Sequence, residues 1–143
     1  MGRHFVTRQK GFYTVKGIDP SGSGEREFKV AAKQVEHLES HGPTHRYYEL
    51  ISACEVLNNP LVIFEGLQRD GQEKGLCYVG RPKRYGLDWS GPGHKNMVFL
   101  VFVTKDLTIF EWGWEKEDRK NPGLPLNAKR RFGKAKWKHS LSI

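Results

Sequence analysis

The sequence predicts an α+β fold: two N-terminal helices packed on one face of a roughly four-stranded antiparallel sheet, followed by a basic C-terminal segment. Three observations carry that prediction. Apolar residues between positions 30 and 58 recur at helical spacing, the period changes to two after Pro60, and hairpin-length connections separate the strands that follow.

The elements follow in order. "HFVTRQKGFYTVKG" suits a small hairpin turning at Gln9–Gly11, and "DPSGSGE" is a loop by composition. In "VAAKQVEHLESHG", Val30, Gln34/Val35 and Leu38 form a helical stripe that Gly42 ends. Pro43 suits the first turn of a second helix, on which Tyr47, Leu50, Ile51, Cys54 and Leu57 share one side. Asn58-Asn59-Pro60 stops it, because proline cannot continue a helix. "LVIFEGL" and "LCYVG" then read as strands around the turn "QRDGQEKG", and "RPKRYGLDWSGPGHKN" reads as a cationic loop. "MVFLVFV" is apolar at every position, as a central strand covered on both faces would be. In "LTIFEWGWE", strict alternation puts Leu107, Ile109 and Glu111 on one face and Thr108, Phe110, Trp112 and Trp114 on the other. The remainder, "NPGLPLNAKRRFGKAKW", suits a short helix or an edge strand.

At 143 residues the chain has the length of one domain, divided into a poorly readable hairpin and loop (1–29), a helix–helix–sheet core (30–118) and a basic segment (119–143). The charge is localised. Of 24 Lys and Arg, eight fall after residue 118, where no acid occurs, so the whole net charge of +8 sits in the final segment. A local excess of this kind marks a surface that faces a polyanion. No apolar run approaches the roughly 18 residues of a membrane helix, so no membrane partner and a cytoplasmic location are expected. Cys54 and Cys77 read as buried small hydrophobes rather than a disulfide.

Several site types are disfavoured. His37, His41 and His45 have the spacing of metal ligands on one continuous helix, but Gly42-Pro43 breaks that helix, so no metal is expected. "HLESH" is not H-E-x-x-H, and "GPGHKN" is neither a phosphate loop nor a dinucleotide fingerprint, so no cofactor is expected either. What remains is acid, base and cation around the sheet. Glu65 ends the first strand after Pro60, and Glu111 lies in the fourth. Arg81, Lys83 and Arg84 follow the second, and His41 sits between the helices. Cleavage of RNA by its own 2′-hydroxyl needs such a set: a base, an acid for the leaving oxygen, and fixed cations for the phosphorane. The bland alternative for Glu65 is a solvated strand end, and for Glu111 a cross-strand ion pair.

The helix ending "HLESHG", the phrase "LNNPLVIFEG" leading into successive strands, and the later "LPLNAKRRFGKAKW" resemble the phage-associated branch of the barnase–EndoU–colicin–RelE-like ribonuclease superfamily, over roughly residues 30–138. The resemblance implies a metal-independent endoribonuclease of toxin or phage-effector type, acting on RNA, with an inhibitor or immunity protein as a candidate partner. His41 matches the histidine after the first helix of that branch. No histidine stands late in the sheet, where barnase-like enzymes keep their general acid.

The sequence thus nominates His41, Glu65, Arg81 and Glu111 for catalysis, with Glu65 or Glu111 as base. Lys83, Arg84, Arg130, Arg131, Lys134, Lys136 and Trp137 are nominated to bind nucleic acid. The alternatives are a nucleic-acid-binding module without catalysis, and a protein-interaction domain anchored by Trp112 and Trp114.

Overall fold

The computed structural model describes residues 6–9, 12–67, 75–82 and 97–138. The elements are β1 (Val6–Gln9), β2 (Phe12–Ile18), β3 (Glu25–Val30), α1 (Ala32–Ser40), α2 (Pro43–Asn58), β4 (Val62–Leu67), β5 (Gly75–Gly80), β6 (Met97–Val103), β7 (Thr108–Lys116), α3 (Ala128–Phe132) and β8 (Lys134–Lys138). They form one eight-stranded sheet in the order β1-β2-β3-β7-β6-β5-β4-β8. Every pairing is antiparallel except that of β3 with β7.

The expected two helices on a four-stranded antiparallel sheet are therefore corrected. The protein is mostly β, with a mixed, curled sheet and three helices, of which only α2 exceeds nine residues. Four of the strands are the expected ones. The hairpin expected near Gln9–Gly11 is present as β1 and β2, but it belongs to the same sheet, which β3 before the helices and β8 after α3 also extend. β3 is hard to read because "EREFKV" buries only Phe28 and Val30, too short a stretch of alternation to stand out among its charges.

The two faces of the sheet are covered differently. On one, α1 and α2 pack over Val15, Phe28, Ile63, Tyr78, Val101, Ile109 and Trp112. On the other, Leu124 and the Ala128 and Phe132 side chains of α3 cover Val62, Phe64, Cys77, Leu100 and Phe102. β5 and β6 are buried on both faces, which accounts for the unbroken apolar run of β6.

The curl brings distant strands together across the helices. Tyr78 on β5 donates its hydroxyl hydrogen bond to the Ile18 carbonyl at the end of β2, 2.7 Å away. The β2–β3 turn meets the far edge of the sheet, where a Cβ on Gly22 would fall inside the Trp137 indole of β8. Asp19 builds that turn, accepting from the Ser21 amide at 2.8 Å and from Arg26 at 2.7 Å. The Ser21 hydrogen bonds, then Arg26, hold its carboxyl below the usual range.

One irregularity changes the reading of β7. Ile109 pairs with Val103 but Glu111 pairs with Phe102, so Phe110 is an extra residue in a bulge. Beyond it the alternation inverts. Leu107, Ile109 and Trp112 all join the helix-covered face, and Glu111 lies on the face of Phe102. The strict alternation expected through this strand placed Glu111 with Ile109 because the sequence carries no mark of the extra residue.

Both thiols are free and buried. Burial pushes the Cys54 thiol up to about 11, against a smaller opposing effect of the Asn58 hydrogen bond, and pushes Cys77 well above the ordinary range. Neither should react with a thiol-specific disulfide reagent at pH 8 in the native protein, and both should react in denaturant. Rapid labelling of one thiol in the folded chain would contradict this.

Candidate functional site

The residues nominated on the sheet do not gather in one cleft. Glu65 pairs with Leu76, which belongs to the helix-covered face; Glu111 pairs with Phe102 on the opposite face. Residues paired across strands share a face, so the sheet itself separates the two carboxylates. Glu65 is 45% exposed at its side chain and has Lys136 Nζ at 3.5 Å, an ordinary surface pair. Arg81 follows β5 and is ion-paired with Glu117, which also accepts from the Gly123 amide. Lys83 and Arg84 lie outside the described residues, as do residues 83–96 of their loop and residues 68–74 of the "QRDGQEKG" turn.

The basic C-terminal segment is structural as well as charged. Arg130 and Arg131 are exposed on α3, and Lys134, Lys136 and Lys138 are exposed along the edge strand β8. Arg131 pairs with Glu115 and lies over the Phe132 ring, its guanidinium carbon 4.5 Å from the centroid. The Glu115 hydrogen bond raises its already high pKa, fixing the cation in place. Trp137 is partly buried against the helix-side core and the Gly22 turn, so much of its ring is occupied by packing.

His41 lies elsewhere, clustered with His37 and His45, whose convergence the break at Gly42-Pro43 was expected to prevent. α1 ends at Ser40, His41 and Gly42 have extended backbone, and Pro43 opens α2, so two residues make a sharp corner. The corner is held by Arg46, whose Nη2 donates to the His41 carbonyl at 3.4 Å. Around it, His37 Nε2 stands 3.1 Å from Glu49 Oε1, and His45 Nε2 stands 3.0 Å from Glu49 Oε2. His41 Nε2 is 4.0 Å from Glu49 Oε2. The His41 and His45 rings stack at 4.2 Å, and His37 meets His41 edge-on at 4.4 Å. Glu49 is 9% exposed, and β7 reaches it from the core: Trp112 Nε1 donates to Oε1 at 2.8 Å.

Of the four residues only His41 was nominated for a role from the sequence, and Glu49 was not anticipated at all. The signal was present, because the four-residue spacing of His37, His41 and His45 continues to Glu49. Trp112, expected as an anchor for a protein partner, is the donor that orients Glu49.

No family model, curated protein or solved structure significantly matches the chain. Among the described residues, no helix is long and apolar enough to cross a membrane.

Proposed function

We propose that this protein binds nucleic acid through the cationic surface of α3 and β8, by contacts to the phosphate backbone rather than to base edges. One observation carries the reading: five cations, Arg130, Arg131, Lys134, Lys136 and Lys138, are exposed on consecutive elements of a segment without an acidic residue. Lysines on an edge strand also discourage pairing with other chains. Arg130 on α3 has no edge to protect, which favours a polyanion ligand.

The separation of Glu65, Glu111 and Arg81 supports binding over the metal-independent cleavage of RNA that the ribonuclease resemblance implies. In that reading the sheet carboxylates are not acid–base partners, and RNA incubated in EDTA should remain intact. The test for binding is a triple charge reversal, Arg130→Glu, Lys134→Glu and Lys138→Glu, which changes exposed side chains only. Fluorescence anisotropy with labelled RNA and DNA oligonucleotides across a salt series should show the wild-type affinity falling linearly on a log–log plot. The slope should shrink by about 2–3 in the variant, at roughly 0.7–0.9 for each phosphate that is no longer neutralised. Identical curves for the two proteins would refute the assignment.

A further inference from the structure

We propose that His37, His41, His45 and Glu49 form a binding site for one divalent transition-metal ion, zinc or a neighbour of similar ligand preference. On a single straight helix these four positions, each one turn from the next, would span about 18 Å and could not share an ion. The corner at His41-Gly42 folds the line back on itself. His37 comes from the last turn of α1, His41 from the corner, and His45 and Glu49 from successive turns of α2.

The distances fit an ion. The nearest ligand atoms of His37, His41 and Glu49 all lie within 4.8 Å of one another, and His45 Nε2 adds a fourth position 3.0 Å from the same carboxylate. Four donors 2.0–2.1 Å from a tetrahedral centre stand about 3.3 Å apart. His45 and His41 stand 3.0 and 4.0 Å from Oε2, on either side of that value, whereas His37 stands 3.1 Å from Oε1, so its ring must turn from one carboxylate oxygen towards the ion.

The simpler account is that the imidazoles only hold the buried Glu49 charge. That account requires each to donate to it. His37 does so with hydrogen-bond alignment, but His41 does not. His41 Nε2 and Glu49 Oε2 are both buried with no aligned hydrogen-bond partner among the described residues, although His45 Nε2 is close to Oε2. An ion at the point where the donors converge would engage both atoms together. Leaving such groups unmatched is costly in a folded protein.

Chemistry narrows the ion. Three imidazoles and one carboxylate suit zinc, cobalt, nickel or copper, and they exclude magnesium and calcium, which take oxygen ligands. Trp112 supplies the outer hydrogen bond that fixes a ligating carboxylate: it donates to Oε1, leaving Oε2 turned towards His41 and His45. His37, His41 and Glu49 form the convergent core of the set, and His45, 3.0 Å from the same carboxylate, would turn in to complete a tetrahedral shell, so the ion would act as a clamp on the α1–α2 corner.

The experiment uses the full, tag-free chain stripped with chelator. Titration with Co²⁺ should saturate at one ion per chain, give the visible absorption of a tetrahedral nitrogen–oxygen site, and be reversed by Zn²⁺. Zn²⁺ should also raise the thermal unfolding midpoint. His41→Ala and Glu49→Gln should abolish the Co²⁺ spectrum. His45→Ala removes a side chain that is 45% exposed, so the variant should stay folded and still lose the tetrahedral signal. Trp112→Phe leaves all four ligands in place and should weaken binding about 10–100-fold. His94→Ala and His139→Ala should bind as wild type. The proposal is overturned if no stoichiometric binding occurs, or if a folded His41→Ala/His45→Ala variant binds Co²⁺ as tightly as the parent.

Discussion

A chain ending at Asp118 is expected to be unfolded, not merely stripped of its cations. Circular dichroism of that truncation should lack the signature of a native sheet. The reason lies beneath the charges. Leu124, Ala128 and Phe132 are 3%, 5% and 2% exposed, and with Phe64 and Phe102 they close the second core. Phe132 stands between those two rings, at centroid distances of 5.8 and 6.0 Å. Removing its side chain alone, by Phe132→Ala, should cost about 3–5 kcal/mol in urea unfolding, a cavity the surrounding rings cannot fill. Against a total stability of about 5–15 kcal/mol, that single loss is severe. Truncation adds the loss of Leu124 and of the β8 pairing to β4. Charge reversals at the exposed Arg130, Lys134 and Lys138 should instead change stability by no more than about 0.5 kcal/mol each. A truncated protein that stays folded and only loses polyanion affinity would disprove this account.

The second large effect is expected at Gly22. Its φ of +90° disfavours any side chain, and its missing Cβ is the space the Trp137 indole fills. Gly22→Ala should therefore cost about 1–2 kcal/mol in the backbone. Displacing the indole should add about 1–3 kcal/mol. Gly24 separates the two contributions. It has a similar φ of +84° but nothing within 4 Å of an added Cβ, so Gly24→Ala should cost only the backbone part. Placing Gly22→Ala in a Trp137→Ala background should reduce its cost to that of Gly24→Ala. Equal costs for the two glycine variants in the parent protein would mean that the contact between the turn and β8 contributes nothing.

The sequence revealed most where one periodicity held over many residues. α2 and β6 were legible because helical spacing and an unbroken apolar run each extend through a whole element. β3 was not, because two buried residues set no period, and β8 could not be separated from a helix in a segment dominated by lysine and arginine. The position of Glu111 turned on the Phe110 bulge, a single residue that leaves the composition of β7 unchanged. The histidine cluster was half legible. Its spacing was visible, but the break at Gly42-Pro43 argued against convergence. A helix break scatters ligands only if the chain continues onward, whereas here it doubles back and gathers them.

The seam between β3 and β7 bears on cooperativity. All the antiparallel pairings extend over four or more residues, whereas this parallel one aligns only Lys29 with Thr108 and Val30 with Ile109. It also joins residues far apart in the chain, so closing it costs loop entropy that two aligned pairs scarcely offset. The sheet alone would leave β1–β3 weakly attached. α2 packs on β2 as well as on β5 and β6, and Gly17 lets it come close, since a Cβ there would meet Leu57 Cβ at 2.7 Å. The long helix is thus the tie-beam of the molecule: it makes two loosely joined halves of a sheet unfold as one unit.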